Sequence, residues 1–286
     1  MPLRLRSASA QRVPAPLYFL ASGVSMYVGA GLAVGLFALM PPATVAWWRV
    51  TVGAVFLLAW RRPWRRSWGG RDLAVAAVFG VVTTTMNVLF YEAIARLPLG
   101  TAVALEFLGP VVVALVTGRG WPLRVAALLA GVGVASISGL GLDLGAPGVG
   151  AGLALALAAG AAWAGYILLA RRVAGGSGLD SLAVGMVVGS VAYLPLTAPT
   201  AALALGSWGT AALVAGVGLM STAVPYSLDQ IAMRRLSAPA FSLLTALLPA
   251  TSVVVGLVML RQVPNVGEAV GLVCISVAVA LARRAG

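Results

Sequence analysis

The chain has 286 residues, of which 61% are hydrophobic and 9% are charged, and its formal net charge is +12. About a quarter of the residues of a soluble domain are charged, so this composition excludes a soluble protein and indicates a polytopic membrane protein. The long Ala, Val, Leu and Gly runs lack an alternating pattern, which favours helices over an outer-membrane barrel.

The residue types argue against an enzyme. The chain has no histidine, and all 19 of its basic residues are arginine. Membrane metalloenzymes and Ser-His proteases need imidazole, and Schiff-base chemistry needs an amine. The single cysteine, Cys274, lies in an apolar run and excludes a disulfide framework. We therefore predict no metal site, no cofactor and no enzymatic activity.

Ten apolar segments are long enough to cross a bilayer as helices, which takes roughly 20 residues each. Clusters of Pro, Gly and Arg separate them, as is typical of turns. Residues 1–16 precede the first segment and resemble a cytoplasmic tail more than a cleaved signal peptide. The predicted helices are 17–39, 43–60, 73–95, 99–116, 122–140, 148–171, 180–198, 208–231, 237–258 and 264–283.

The arginines predict the orientation of these helices. With a cytoplasmic N-terminus, the outer loops hold only Arg96 and Arg261, and Arg49 lies within the second helix. This asymmetry follows the positive-inside rule and explains the net charge better than nucleic-acid binding does. We predict an inner-membrane protein with both termini in the cytoplasm. The other sixteen arginines are on the cytoplasmic side: Arg4, Arg6, Arg12, Arg61, Arg62, Arg65, Arg66, Arg71, Arg119, Arg124, Arg171, Arg172, Arg234, Arg235, Arg283 and Arg284.

A weak internal repeat relates the two halves of the chain. A shift of 139 residues places Arg96-Leu97 on Arg235-Leu236 and Pro110 on Pro249. Five helices per half is an odd number, so the halves are inverted, as is typical of secondary transporters. We predict an all-α integral membrane protein with ten transmembrane helices in two inverted five-helix repeats around a central cavity. The repeats are residues 17–140 and 148–286, the second ending in a short cytoplasmic tail, and an outer linker, 141–147, joins them.

Charged side chains inside a bilayer are costly and are functional candidates. Arg49, Glu92, Glu106 and Asp229 lie within predicted helices. Glu92 and Glu106 flank one turn at a similar depth near the outer surface. Arg49 lies at a comparable depth, so an ion pair with either glutamate is geometrically possible. Such a pair could bind substrate or could only hold helices together.

Three prolines inside predicted helices are candidate hinges: Pro110, Pro225 and Pro249. Proline donates no hydrogen bond to the carbonyl four residues earlier, and for Pro110 that carbonyl belongs to Glu106. Broken helices give transporters polar docking points and hinges. The alternative is a packing kink.

Further polar and aromatic side chains complete the candidate substrate site. Asn87 and Tyr91 share one helix face, as do Trp163 and Tyr166, although aromatic side chains in a span are more often core or lipid-facing. The spacing of Gly31 and Gly35 predicts a close-packed helix contact. The full candidate list is Glu106, Glu92, Tyr91, Asn87, Trp163, Tyr166, Tyr27, Arg49, Tyr226 and Gln230.

Residues 91–100 (YEAIARLPLG) and 102–110 (AVALEFLGP) make the chain resemble the EamA-type drug/metabolite transporter superfamily. Trp163 and Tyr166, followed by Arg171-Arg172, resemble the sixth helix of its threonine/homoserine exporter branch. The resemblance covers essentially the whole chain. It implies export of amino acids or related small metabolites by alternating access.

We therefore expect a small-molecule exporter in which Glu106 and Glu92 bind a substrate ammonium or take up a proton. Arg49 would bind a substrate carboxylate or balance the negative charge of the two glutamates. The alternative is a multidrug or organic-cation effluxer, or a metabolite importer, of the same fold. A membrane enzyme or an assembly scaffold fits less well, since a scaffold would not need buried carboxylates.

Overall fold

A computed structural model describes residues 15–117, 119–137, 142–173, 178–225, 228 and 248–285, and within them all regular secondary structure is helical. The α-helices are α1 (Ala15–Leu36), α2 (Pro42–Arg61), α3 (Gly70–Ile94), α4 (Leu99–Glu106), α5 (Leu108–Thr117), α6 (Trp121–Ser136), α7 (Val149–Val173), α8 (Gly178–Ala201), α9 (Trp208–Gly218), α10 (Leu248–Leu260) and α11 (Val266–Ala285). A π-helical turn, Leu219–Ala223, continues α9, and 3₁₀ turns cover Pro63–Arg65 and Ala202–Leu205.

Every one of the ten predicted segments contains an apolar helix of the described structure. Among the residues that the structure describes, six helices are long and apolar enough to cross a membrane: Leu17–Leu36, Pro42–Arg61, Gly70–Ile94, Leu99–Thr117, Val149–Leu169 and Gly178–Leu205. Four shorter apolar helices are Trp121–Ser136, Trp208–Ala223, Leu248–Leu260 and Val266–Ala282. The prediction of an all-helical protein with several membrane-length helices is confirmed.

Proline and polar caps set the helix boundaries. Pro42 occupies the first turn of α2, where its missing N–H costs nothing. At the other end of α2, Arg62 adopts a left-handed conformation with φ 51° and donates its N–H to Leu58 O. Before α11, Asn265 and Glu268 exchange backbone-to-side-chain hydrogen bonds of 3.0 Å, which is a capping box.

The fourth predicted span is broken in two. Phe107 separates α4 from α5, three residues before Pro110. Pro110 cannot donate to the carbonyl of Glu106, so the helix loses its backbone bond at the residue that carries the carboxylate. The structure thus has a helix interruption at Phe107, one turn before Pro110.

Glycine contacts bring non-sequential helices together. α3 packs against α7 and α8, and α6 packs against α11. A Cβ at Gly185 would come within 2.5 Å of Ala76 O and 2.9 Å of the Gly80 Cα, so the backbones of α3 and α8 touch. Close approach of this kind is the main source of packing energy between helices in lipid.

Candidate functional site

The candidate site is centred on Glu106, the last residue of α4. Its side chain is buried and lies within electrostatic range of Arg49 on α2. Tyr27 on α1 is also buried and lies within range of both charges. The Glu106 carboxylate makes no hydrogen bond or ion pair to another residue that the structure describes. Three helices therefore bring a cation, an anion and a phenol to one place.

Arg49 has two other contacts. Its Nη2 donates a 3.0 Å hydrogen bond to Ser221 O, and its Cζ lies 5.5 Å from the centroid of the Tyr91 ring. Pro225, four residues after Ser221, has no N–H to donate to this carbonyl. The ion pairs among the described residues do not include Arg49 with Glu92, so that suggested pair is not formed.

The π-helical turn before Pro225 presents its backbone to α1. Ser25 Oγ donates to Met220 O at 2.8 Å, and Ser22 Oγ donates to Pro225 O at 3.3 Å. In return, Ser221 Oγ donates to Met26 O at 3.3 Å. π-helical turns are rare and often mark functional sites. Here the turn supplies carbonyl acceptors to both α1 and α2.

Glu92 lies apart from this cluster, at the end of α3. Its Oε2 forms an ion pair with Arg96 Nη1 at 2.6 Å, and its Oε1 accepts the N–H of Ala43 at 3.0 Å. Ala43 is in the first turn of α2, where unpaired N–H groups favour an anion. Glu92 therefore caps a helix and joins α3 to α2 through these partners.

Tyr91 and Asn87 face the interior from α3. Tyr91 is fully buried, and its ring makes edge contacts with Phe37 and Phe90, each at 6.1 Å. Its hydroxyl has no hydrogen-bond partner in the described part of the chain. The buried amide of Asn87 donates to Thr83 O one turn earlier, at 2.8 Å.

The two aromatic candidates on α7 pack against other aromatic rings. Trp163 meets the edge of Phe107, the residue at the helix break, with ring centroids 4.6 Å apart. Tyr166 stacks on Phe79 of α3 at 4.7 Å. Trp163 thus contacts the residue that follows Glu106 in the chain, whereas Tyr166 is about one turn further along α7.

The prolines have different environments. The carbonyl of Glu106, freed by Pro110, lies against α7, because a Cβ at Gly160 would come within 2.8 Å of it. Pro249 is buried in the first turn of α10, and its carbonyl accepts from Ser252 Oγ at 2.6 Å. The candidates Tyr226 and Gln230, with Asp229, lie outside the described residues.

Sequence reasoning missed a buried carboxylate, Glu268, in the first turn of α11. It accepts a 2.6 Å hydrogen bond from Thr101 Oγ1 on α4 and caps its own helix through Asn265. A small pocket beside it includes Gly100 and Val253 in its wall. The Asn-x-x-Glu spacing of a capping box was the signal available in the sequence.

These contacts close one end of the helix bundle. The loop before α11 also supplies Gln262, whose Oε1 accepts the N–H of Leu99 at 2.9 Å. The α3–α4 turn is thus bonded to the α10–α11 loop on one side and, through Glu92, to the start of α2 on the other. Within the described residues, no group of three or more His, Cys, Asp or Glu side chains is arranged to hold a metal ion.

Comparison with known proteins shows where the chain belongs. A model of the EamA-like transporter family matches residues 14–119 and 150–284. The chain belongs to the EamA-like transporter family. This membership confirms the resemblance found in the sequence and makes the protein a membrane transporter, not an enzyme.

Two relatives of this EamA-like transporter are threonine/homoserine exporters. It is 37% identical to the threonine/homoserine exporter RhtA of Escherichia coli (strain K12) over 238 residues, which are 83% of this chain and 80% of that protein. It is 35% identical to RhtA of Salmonella typhimurium (strain SL1344) with the same coverage. One crystal structure shares its fold, with a TM-score of 0.58 and 19% identity over 94% of this chain and 96% of that one.

Proposed function

We propose that this transporter exports threonine- and homoserine-like amino acids, or related small metabolites, from the cytoplasm across the inner membrane by alternating access. The observation that carries the proposal is the environment of Glu106. A buried carboxylate without a hydrogen bond to the described residues lies at a helix break, within electrostatic range of Arg49. The similarity to the two threonine/homoserine exporters supports the substrate class.

The helix packing supports two inverted repeats, 17–140 and 148–286, joined by 141–147. Counting α4 and α5 as one span, replacing each helix by the one five spans later reproduces several of the main helix contacts. α3 packs against α7 and α8, and its equivalent α9 packs against α1 and α2. Under the same replacement α2 and α8 exchange places, as do α6 and α11, and the helices of each pair pack against each other. The family model also matches once in each half.

The site suits a zwitterion. The Glu106 carboxylate would bind the substrate ammonium or take up a proton that drives export. Arg49 is half-buried and uses one guanidinium nitrogen for Ser221 O, so its remaining N–H donors are available for a substrate carboxylate. Both termini lie in the cytoplasm in this orientation, as the arginine distribution predicts.

The test is export of radiolabelled threonine from proteoliposomes by the Glu106→Gln variant. We expect transport to fall at least a hundredfold while expression and thermal stability stay near wild type, since the amide keeps the shape of the side chain but neither binds an ammonium ion strongly nor takes up a proton. Glu92→Gln is the matched control, because Glu92 already has partners outside the cluster. Wild-type flux in Glu106→Gln would refute this role.

The alternative substrate class is the organic cations, which an acidic site also suits. Arg49 beside Glu106 argues against it, because a bound monovalent cation would leave the guanidinium without a counterpart. Competition between labelled threonine and quaternary ammonium compounds, with and without a pH gradient, separates amino-acid export, cation efflux and import.

A further inference from the structure

The connection between α2 and α3 is the most basic stretch of the described chain. Residues 61–71 read RRPWRRSWGGR and include five arginines and two tryptophans. The positive-inside rule explains why arginines occur in this loop, but it requires only that the charges be present. It does not require that the loop be folded.

The loop is folded. Arg62 closes the end of α2 in a left-handed conformation, and Pro63–Arg65 form a 3₁₀ turn. Trp68 Nε1 donates to Pro63 O at 3.0 Å, and the Arg66 guanidinium lies 4.8 Å from the Trp68 ring centroid. Pro63 is buried beneath the turn. These contacts fix the backbone of the turn and the positions of Pro63, Arg66 and Trp68.

Two of the arginines have acidic partners. Arg61 Nε forms a 2.9 Å ion pair with Asp180 Oδ1 at the start of α8. Arg66 Nη2 lies 3.7 Å from Asp72 Oδ2, an exposed pair that contributes little. Arg62 and Arg65 are exposed and form no ion pair within the part of the chain that the structure describes.

Exposed tryptophans accompany these free guanidinium groups. Trp64, on the 3₁₀ turn, is 64% exposed, and Trp60, on the last turn of α2, is 46% exposed. Both α2 and α3 are apolar enough to cross a membrane, so the loop that joins their ends lies at the membrane boundary. Tryptophan concentrates at that boundary, where its ring lies at headgroup depth.

We propose that this loop is a binding site for anionic phospholipids, with the headgroup phosphate held by Arg62 and Arg65 and the glycerol and upper acyl region packed on Trp64 and Trp60. A planar guanidinium binds phosphate oxygens in a two-pronged geometry that a lysine cannot reproduce. Clusters of arginines beside a transmembrane helix attract anionic lipids. The inference is independent of the transported substrate.

Bound lipid would stabilise the helices that carry the candidate site. Through Arg61 and Asp180 the loop is tied to α8, and α2, α3 and α8 pack on one another. Arg49 lies on α2 and Tyr91 on α3. A lipid that fixes the loop therefore also restrains these two helices.

The experiment measures phosphatidylglycerol binding to the purified protein by native mass spectrometry, together with the melting temperature in nanodiscs. We expect the Arg62→Gln/Arg65→Gln variant to bind phosphatidylglycerol about 30-fold more weakly, which corresponds to about 1 kcal/mol for each arginine near the surface. Its melting temperature should equal that of the wild type in phosphatidylcholine. The increase on transfer to phosphatidylglycerol should be smaller than for the wild type.

Arg119→Gln/Arg124→Gln is the matched control, since it removes the same charge from another exposed pair on the same predicted side. Equal loss of lipid binding in the control would overturn the proposal in favour of a general charge effect. Equal stabilisation by millimolar inorganic phosphate would overturn it in favour of a free-anion site. If the double variant does not fold, Arg65→Gln alone is measured, and unchanged lipid affinity in it refutes the site.

Discussion

At the scale of single residues, Pro225 and Arg49 act as a pair. Pro225 has no N–H to donate to Ser221 O, four residues earlier, and Arg49 donates to that carbonyl from another helix at 3.0 Å. The same guanidinium lies over the Tyr91 ring and in electrostatic range of Glu106. An arginine inside a membrane span is costly, and these three neighbours account for its presence here.

Arg49→Gln should lower both stability and transport. The variant loses a charged hydrogen bond to a backbone carbonyl, which is worth about 1.5–3 kcal/mol, together with the contact on the Tyr91 ring. We expect a lower melting temperature in detergent and severely reduced threonine export. Arg49→Lys is the control: it keeps the charge, so partial export should return. A variant with wild-type stability and flux would show that these contacts contribute nothing.

At the scale of helices, glycine decides which elements touch. The predicted Gly31–Gly35 pair is used only in part, because Gly31 packs against Met259 whereas nothing lies within 4 Å of a Cβ at Gly35. The close contacts are instead between α3 and α8, at Gly80 and Gly185, and between α5 and α7, at Gly109 and Gly160. Spacing alone identifies a face that could pack but not its partner.

Gly80→Ala should therefore disrupt the fold. Its Cβ would overlap the Gly185 carbonyl, so α3 and α8 would have to separate, and the expected loss is at least as large as the 1–3 kcal/mol typical of overpacking. Yield and melting temperature in detergent measure the effect. Gly131→Ala in α6, where a Cβ meets nothing within 4 Å, should be neutral. Similar behaviour of the two variants would contradict the packing argument.

At the scale of the whole molecule, the described bundle is closed at the end predicted to face outward. Thr101 and Leu99 at the start of α4 bond to Glu268 and Gln262 of the other half. The proposed export by alternating access requires this end to open, so we expect α4 and α10 to separate during each transport cycle.

A disulfide across this closure should stop transport. A Cβ at Gly100 would lie 3.4 Å from the Val253 Cβ, close to the separation in disulfides. We expect Gly100→Cys/Val253→Cys, made with Cys274→Ser, to lose threonine export on oxidation and to regain it on reduction. Threonine export by the two single-cysteine variants should not change when the oxidant is added. Full flux after complete cross-linking would mean that this end does not open.

Much of the candidate site was visible in the sequence, though not its internal contacts. The isolated charges of Arg49 and Glu106 and the break at Pro110 stand out because each is unusual in an apolar run. The Glu92–Arg96 ion pair joins side chains four residues apart on one helix, so it too was within reach of sequence reasoning. Glu268 was overlooked because its partner Thr101 is 167 residues away.

The sequence by itself determined that this is a membrane protein, where its helical segments lie, and that arginines concentrate in alternate loops. Each of these features depends on local composition relative to bilayer thickness. Only the tertiary structure decided that Arg49 donates to Ser221 O, that Glu92 caps α2, and that Glu106 O lies against Gly160. Those outcomes depend on how far each helix rotates about its axis. That rotation is set by glycine contacts between helices distant in the chain, which local patterns do not encode.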